Sequence, residues 1–360
     1  MNLNDYMEQG ISLLVKTAGR YYFKNPRGVA FLTRSAVEIK KAAQRRHIQE
    51  QSGLHVPPFL IASIASQCNL HCAGCYSRAS GGCSRHVVPD LTTDEWSSIF
   101  SQSRDLGVSF ILLAGGEPLM RRDIIEAAAS FPQIIFPIFT NGTMIDEKYL
   151  RLFSTHRNLI PVFSIEGDEA RTDTRRGKGS YQISTHAMHE MNSRNLLFGC
   201  SITVTRENMP EVTAPGFIEQ LRQSGCGVVF YVEYVPIEAG TETLMLQDTD
   251  LVVLKNCVSS LRDQFTDTII VSFPGDEEDT DGCLASGRGF FHINAQGGAE
   301  PCPFSPYSSL SLKQSTVADV LRSGFFSELR KIAVETQHHG GCTLFARKDD
   351  VAALFSSHTD

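Results

Sequence analysis

Phe59-Leu60-Ile61-Ala62-Ser63-Ile64-Ala65 runs directly into Ser66-Gln67-Cys68-Asn69-Leu70-His71-Cys72-Ala73-Gly74-Cys75-Tyr76. The first part is a short apolar run of strand length. The second is a loop that places Cys68, Cys72 and Cys75 in C-x3-C-x2-C spacing. Three thiolates this close can grip three irons of a cubane [4Fe–4S] cluster. Ordinary clusters of that type use four cysteines, so three leave one iron open to an exogenous ligand. The residues alone leave other readings open. Zinc could use Cys72 and Cys75 with His71, although zinc sites favour a second ligand pair at a defined distance. The thiols could also be inert.

Outward from this stretch the chain alternates strands and helices. Strand candidates follow at Phe110–Ala114, Ile134–Phe139, Ile160–Ile165, Leu197–Val204 and Val228–Val235. Between them lie amphipathic stretches at about 93–106, 121–130, 145–154, 180–194 and 211–224, the first with Thr92 or Thr93 before Asp94-Glu95 as its start. Alternation of this kind predicts an α/β fold with a parallel sheet, here a partial (βα)6 TIM-like barrel. In parallel βα architectures functional residues collect at the C-terminal ends of strands. The conspicuous motifs fall there. The cysteine loop follows the first strand, Gly115-Gly116-Glu117-Pro118 the second and Thr140-Asn141-Gly142 the third. Ser164-Ile165-Glu166-Gly167 closes the fourth, Thr203 to Asn208 the fifth and Pro236 the sixth.

The remaining chain divides around this core, which is expected to span residues 56–240. Residues 1–55 read as a helical arm, with Ile11, Leu14, Val15 and Ala18 at helical spacing and nine Lys/Arg against four Asp/Glu in a chain of net charge −7. The basic arm is either a solvated helix packed on the core or a docking surface for a membrane or an acidic partner. Residues 241–282 form a connecting segment, with a helix near 248–264, a short strand at Ile269–Phe273 and an acidic stretch, Asp276-Glu277-Glu278-Asp279, read as a solvated loop. Residues 283–360 form an irregular cysteine-containing cap. Overall acidity argues against a nucleic-acid partner. No run of 18 apolar residues and no secretory signal stand out, so the expected location is cytoplasmic. In that compartment ten cysteines point to metal or redox chemistry rather than disulfides.

With its cysteine spacing and an aromatic residue after the third cysteine, the sequence resembles the radical S-adenosylmethionine (SAM) superfamily. The resemblance implies that Cys68, Cys72 and Cys75 hold a [4Fe–4S] cluster, with Tyr76 against the adenine or its surroundings. It implies that Gly115 and Gly116 let the backbone approach the methionine end of SAM, where Glu117 accepts a hydrogen bond from the ammonium. Asn141 belongs to the same cofactor-binding rim. Ser164 and Glu166 fit the family's serine–acid pair near carboxylate and ribose, with Glu166 in place of the usual aspartate. Arg176, in Arg175-Arg176-Gly177-Lys178-Gly179-Ser180-Tyr181, resembles a recurrent R-G-x-G-[ST]-[FY] segment, although a loop arginine in a salt bridge is an equal reading. The implied chemistry is reductive cleavage of SAM, with an electron from a donor such as flavodoxin or ferredoxin. The resulting 5′-deoxyadenosyl radical would abstract a hydrogen atom from an unactivated substrate carbon.

Phe290 to Gly298 alternates and then turns like a hairpin, and Cys302 follows. This resembles the start of the SPASM or twitch extensions, which bind auxiliary iron–sulfur clusters. Cys283, Cys302 and Cys342 are then candidate ligands of one auxiliary cluster, its fourth ligand open among His338, His339, water and substrate. Structural zinc is the competing reading. Cys83, Cys200, Cys226 and Cys257 read as small buried hydrophobes. Relatives with such extensions imply a role in peptide or protein modification or cofactor maturation. The arm is short for a leader-binding module, which leaves room for a lipid or other small molecule. The rival classes are a non-catalytic iron–sulfur carrier or sensor and a zinc-stabilised scaffold.

Overall fold

The computed structural model of the chain describes residues 17–19, 21–22, 26–83, 88–280, 282–335 and 342–358. Seven strands lie parallel in sequential order: β1 (Phe59–Ala65), β2 (Phe110–Gly115), β3 (Phe136–Thr140), β4 (Leu159–Ile165), β5 (Gly199–Val204), β6 (Val228–Glu233) and β7 (Ile269–Phe273). The six expected strands are all present within a residue or two of their sequence bounds. The short strand at 269–273 extends the sheet beside β6 with a continuous register from Val228↔Ile269 to Val232↔Phe273. The sheet stays open, as a partial barrel does. Its strands are buried on both faces, as parallel sheets require: in β1 all but Phe59 are buried.

Helices cover the outer face. The helix Thr93–Leu106 begins with a capping box in which Thr92 and Glu95 exchange hydrogen bonds, and ends at Gly107 with φ 101°. Its inward residues Trp96, Ile99 and Phe100 are fully buried, and Phe100 meets Phe136 edge-on at 5.1 Å. The stretch expected as one helix at 211–224 divides into Met209–Val212 and Pro215–Gln223. Proline at the first position of the second helix fixes the break, since Pro starts a helix but cannot sit inside one.

The basic arm contributes the long helix Pro26–Gln51. Arg45 donates to the Arg104 carbonyl, and Arg46 donates to the Gly107 carbonyl and the Ser109 hydroxyl. Cations thus meet the negative end of helix Thr93–Leu106, which favours the packing-arm reading for these two charges. Tyr21 and Tyr22 form a small second core with Ile135, Ile160 and Leu197, and Tyr21 donates to the Gly225 carbonyl at 2.8 Å. The arm therefore seals the end of the sheet opposite the motif-bearing rim. Ile11, Leu14 and Val15 lie outside the described residues. Among those described, no helix is long and apolar enough to cross a membrane.

The C-terminal region joins the main sheet. The hairpin strands β8 (His292–Ile293) and β9 (Gly298–Glu300) pair antiparallel, β10 (Leu310–Ser311) follows, and β8 runs parallel beside β1. Helices Val317–Arg322, Gly324–Glu335, Thr343–Ala346 and Lys348–Ser356 follow, so the region is more regular than its glycine and proline content suggests. The acidic stretch is also not a solvated loop where its side chains are described. Asp276 and Glu277 are buried, Asp276 pairing with Arg262.

Candidate active site at the strand-end rim

The loop after β1 carries Cys68, Cys72 and Cys75 as free, half-buried thiols. Several ties shape it. The Ala73 N–H donates to the Arg175 carbonyl, and Arg175 Nε donates back to the Ala73 carbonyl. Arg78 donates to the Leu70 carbonyl, closing the loop on itself at 2.8 Å. Asn69 exchanges hydrogen bonds with Thr143 and Asn141. Burial pushes the Cys68 thiol up. Hydrogen bonding with the Cys83 thiol draws Cys75 down to about 5. Cys83 is thus a half-exposed neighbour of the triplet, hydrogen-bonded to Ser77 at 3.2 Å, and not the buried hydrophobe expected. Cys200 and Cys226 are buried as expected, whereas Cys257 is half-exposed.

Gly115 and Gly116 stitch β2 to this loop. The Gly116 N–H donates to the Ala65 carbonyl and the Glu117 N–H to the Gln67 carbonyl. A Cβ on Gly115 would stand 2.4 Å from the Ala65 oxygen, and one on Gly116 2.0 Å from the Gln67 oxygen. Only glycine permits that approach. Glu117 is 1% exposed, and its carboxylate accepts from the Leu119 N–H, the Thr140 hydroxyl and the Asn141 N–H. Burial pushes its pKa up, against these hydrogen bonds. A carboxylate offers about four acceptor positions, so Glu117 braces β2 and β3 with three of them taken. Asn141 is equally engaged, accepting from Thr143 and donating to Asn69.

At the far side of the rim Glu166 is the hub. Its carboxylate receives Arg175 and Arg176 through one oxygen and the Thr203 N–H through the other. Arg175 also donates to the Thr203 hydroxyl, and Asn208 donates to the Glu166 and Thr203 carbonyls. The salt-bridge reading of Arg176 therefore holds. Burial opposes its charge, but Glu166 and the Cys72 and Cys75 thiols hold it above its ordinary value. One guanidinium thus links the acid of β4 to the cysteine loop. Ser164 is half-buried on β4, in register with Ser201 of β5.

Tyr76 opens the helix Tyr76–Ala79 and meets Phe304 edge-on at 5.3 Å. Two participants were not singled out from the sequence. Arg175 precedes the arginine of that motif and gave no signal of its own. Tyr234, after β6, is 4% exposed, and its hydroxyl has no hydrogen-bond partner. That hydroxyl would lie 2.4 Å from a Cβ on Gly74. An orphaned buried hydroxyl against a loop of free thiols suits a site completed by a polar cofactor.

Cys283 and Cys302 are each 3% exposed within the main core, and Cys342 is half-buried at the start of helix Thr343–Ala346. Burial pushes all three thiols up, Cys342 to about 12, and the charges of Cys302 and Cys342 register on Cys283. Glu277 joins them. It is 2% exposed, its carbonyl accepts from Gly282 and its carboxylate from Leu284, on either side of Cys283. His338 and His339 lie outside the described residues. Among the described residues no three His, Cys, Asp or Glu side chains stand close enough to hold a single metal ion.

Residues 63–214 match the family model of the Radical SAM superfamily. Fe-coproporphyrin III synthase of Methanosarcina barkeri is 27% identical over 160 residues, 44% of this chain and 39% of that protein's length. AdoMet-dependent heme synthase of the same organism is 26% identical over 308 residues, covering 76% of this chain and 85% of that one. Mycofactocin maturase MftC of Mycolicibacterium smegmatis is 26% identical over 314 residues, covering 82% and 76% respectively. Among solved structures, Streptococcus suis SuiB bound to S-adenosylmethionine shares the fold, with TM-score 0.65 and 16% identity over 86% of this chain and 74% of that one. SuiB has also been solved with its precursor peptide SuiA.

Proposed function

From the premise that this chain is a radical SAM enzyme, working with a [4Fe–4S] cluster and SAM, we propose that it abstracts a hydrogen atom from an unactivated carbon during peptide modification or cofactor maturation. In this reading Cys68, Cys72 and Cys75 hold the cluster. Gly115, Gly116, Glu117, Asn141, Ser164, Glu166, Arg176 and Tyr76 bind SAM. When bound, cluster and SAM together supply the one-electron cleavage and the hydrogen-abstracting power that follows it.

The protein's part is placement. The Gly115-Gly116 seam fixes the height of the cysteine loop relative to β2. Glu117 offers its carboxylate to the ammonium. The pair Arg175 and Arg176 neutralises Glu166 and sets positive charge beside the thiolates. The barrel wall excludes water from the reacting centre. An external one-electron donor, a flavodoxin or ferredoxin, fits the need for reduction. The observation that carries the proposal is the hydrogen-bonded rim centred on the cysteine loop, tied on one side to Glu117 and Asn141 through Gln67 and Asn69 and on the other to Glu166 through Ala73 and Arg175. An electron carrier has no use for such a rim.

Peptide or cofactor substrates are favoured over lipids by the relatives, a heme synthase and a maturase, and by a fold neighbour solved with a precursor peptide. We also propose that Cys283, Cys302 and Cys342 hold an auxiliary iron–sulfur cluster near the substrate. The test of the main proposal is anaerobic reconstitution with iron and sulfide, then SAM and dithionite. Wild type should form 5′-deoxyadenosine, and the variant with Cys68, Cys72 and Cys75 all changed to Ala should form none. Undiminished cleavage in that variant would overturn the assignment.

A further inference from the structure

Between the cysteine loop and the hairpin lies a cleft of about 140 Å³, walled by Tyr76 and Ser77 on one side and by Ser63, His292, Asn294 and Glu300 on the other. Three of these residues form a chain of short hydrogen bonds. The Ser63 hydroxyl lies 2.7 Å from His292 Nε2, and His292 Nδ1 lies 2.7 Å from a Glu300 carboxylate oxygen. The other Glu300 oxygen accepts from Asn294 Nδ2 at 2.6 Å. Asn294 is itself fixed, its side-chain oxygen accepting from the Gln296 and Gly298 N–H groups of the hairpin turn. Strand pairing brings the three together. Ile61 of β1 is in register with His292 of β8, which places Ser63 two residues further along β1, and His292 faces Glu300 across the hairpin. Ser63, His292 and Glu300 are 8%, 5% and 6% exposed.

We propose that Ser63, His292 and Glu300 are a proton relay, a catalytic site separate from the metal chemistry, serving a substrate that presents an O–H or N–H group to the cleft. The arrangement is a hydroxyl, a base within hydrogen-bond reach and a carboxylate that orients the base, itself held by a fourth group. That is the constellation which activates hydroxyls on unrelated folds. Burying a histidine–carboxylate pair is expensive, and apolar residues of similar volume are often the more stable choice at such positions. Stability therefore gives no reason for this pair at a cleft wall whose neighbours Ile61 and Ile293 are apolar. In the step proposed, the substrate X–H proton passes to Ser63 Oγ as the serine's own proton passes to His292 Nε2. Two protons shift in concert, a net transfer of one from substrate to His292 with no electron moved, and the anionic substrate is left beside Tyr76. The imidazolium is stabilised by Glu300 and returns its proton through the cleft when product leaves. The relay rests on the proposed function only in placing the substrate here.

The test uses phenylmethanesulfonyl fluoride on the full-length reconstituted enzyme at pH 8, read by peptide mass. Ser63 Oγ attacks sulfur, the S–F bond breaks, fluoride leaves and the serine proton goes to His292. Wild type should gain one sulfonyl group on the peptide carrying Ser63, and Ser63→Ala should gain none there. Substituting a general base removes about a hundredfold or more, so His292→Gln should slow labelling by that factor. Glu300→Gln should slow it by at least about tenfold through loss of orientation. Imidazole added to His292→Ala should restore part of the rate, an effect that a merely structural histidine would not give. Wild type should be labelled at the same rate with and without SAM and dithionite, since labelling needs neither. Failure of the radical reading would thus leave this result intact. An unlabelled Ser63 in wild type, or equal labelling in His292→Gln and Glu300→Gln variants of unchanged iron content, would overturn the proposal.

Discussion

The two cysteine trios are held in opposite ways. Cys68, Cys72 and Cys75 sit within one loop, half-exposed, and are shaped by hydrogen bonds from neighbouring strand ends. Cys283, Cys302 and Cys342 come from three separate segments, two of them buried in the main core. The first trio is a local motif that the fold presents; the second, as proposed, would depend on the fold to bring three distant segments together. A loop of half-buried thiols suits a cluster that must meet a cofactor. Dispersed thiols in a core suit a cluster that crosslinks and stays closed, in the manner by which metal binding contributes folding free energy.

That contrast can be broken from either side. Gly116→Ala should have the largest effect, because its Cβ would overlap the Gln67 carbonyl at 2.0 Å. The cysteine loop would have to move, at a cost above about 4 kcal/mol. Thermal melting and iron content would check it, with iron lost from the first site and kept at the second. Glu166→Gln comes next. It leaves Arg175 and Arg176, whose side chains are 18% and 12% exposed, without their counter-charge. Removing one partner of a buried pair costs about 3–5 kcal/mol, here toward the lower end because both arginines keep some solvent. A chemical denaturation midpoint unchanged from wild type would show that the hub is not structural.

Smaller, and sharper, is Glu117→Gln. It removes the charge offered to the ammonium, and its single carbonyl oxygen can accept on one side only, from Leu119 and Thr140 or from Asn141, whose hydrogen bonds fall on different carboxylate oxygens. The loss of about 1.5–3 kcal/mol expected for a charged hydrogen bond should weaken SAM binding roughly ten- to 150-fold, measured by calorimetry on the reconstituted enzyme with iron content unchanged. An unaltered dissociation constant would move the methionine end of SAM elsewhere. Cys257→Ala should do least, within about 0.5 kcal/mol, with no change in iron. Cys257 is half-exposed on the helix Asp248–Gln264, so a change there would mean that the two trios are not the only cysteines that matter.

What was legible in the sequence follows the same division. The strands announced themselves because each is a short apolar run followed by its motif, and both signals are local. Cys68, Cys72, Cys75, Gly116 and Glu117 could be placed on one rim for that reason. The C-terminal region was opaque because its structure is set by distant pairing. Nothing near His292 says that it will lie beside Ser63, 229 residues earlier. Nothing in Asp276-Glu277 says that the run turns inward, since buried and solvated acids look alike until their partners, Arg262 and the Leu284 N–H, are known. Tyr234 was invisible because its interest lies in an unmatched hydroxyl, a property of three-dimensional surroundings alone.

The most direct test of the two-trio account is an iron count paired with electron paramagnetic resonance of the dithionite-reduced protein, with and without SAM. The wild type should hold about eight irons per chain, four for each cubane, and its spectrum should change when SAM is added. The variant with Cys68, Cys72 and Cys75 changed to Ala should keep about half the iron and ignore SAM. The variant with Cys283, Cys302 and Cys342 changed to Ala should also keep about half, and respond to SAM as wild type does. Iron lost completely from the first variant, or a wild type holding about four irons and one zinc, would contradict a second iron–sulfur site. A SAM response surviving in the first variant would contradict the assignment of Cys68, Cys72 and Cys75.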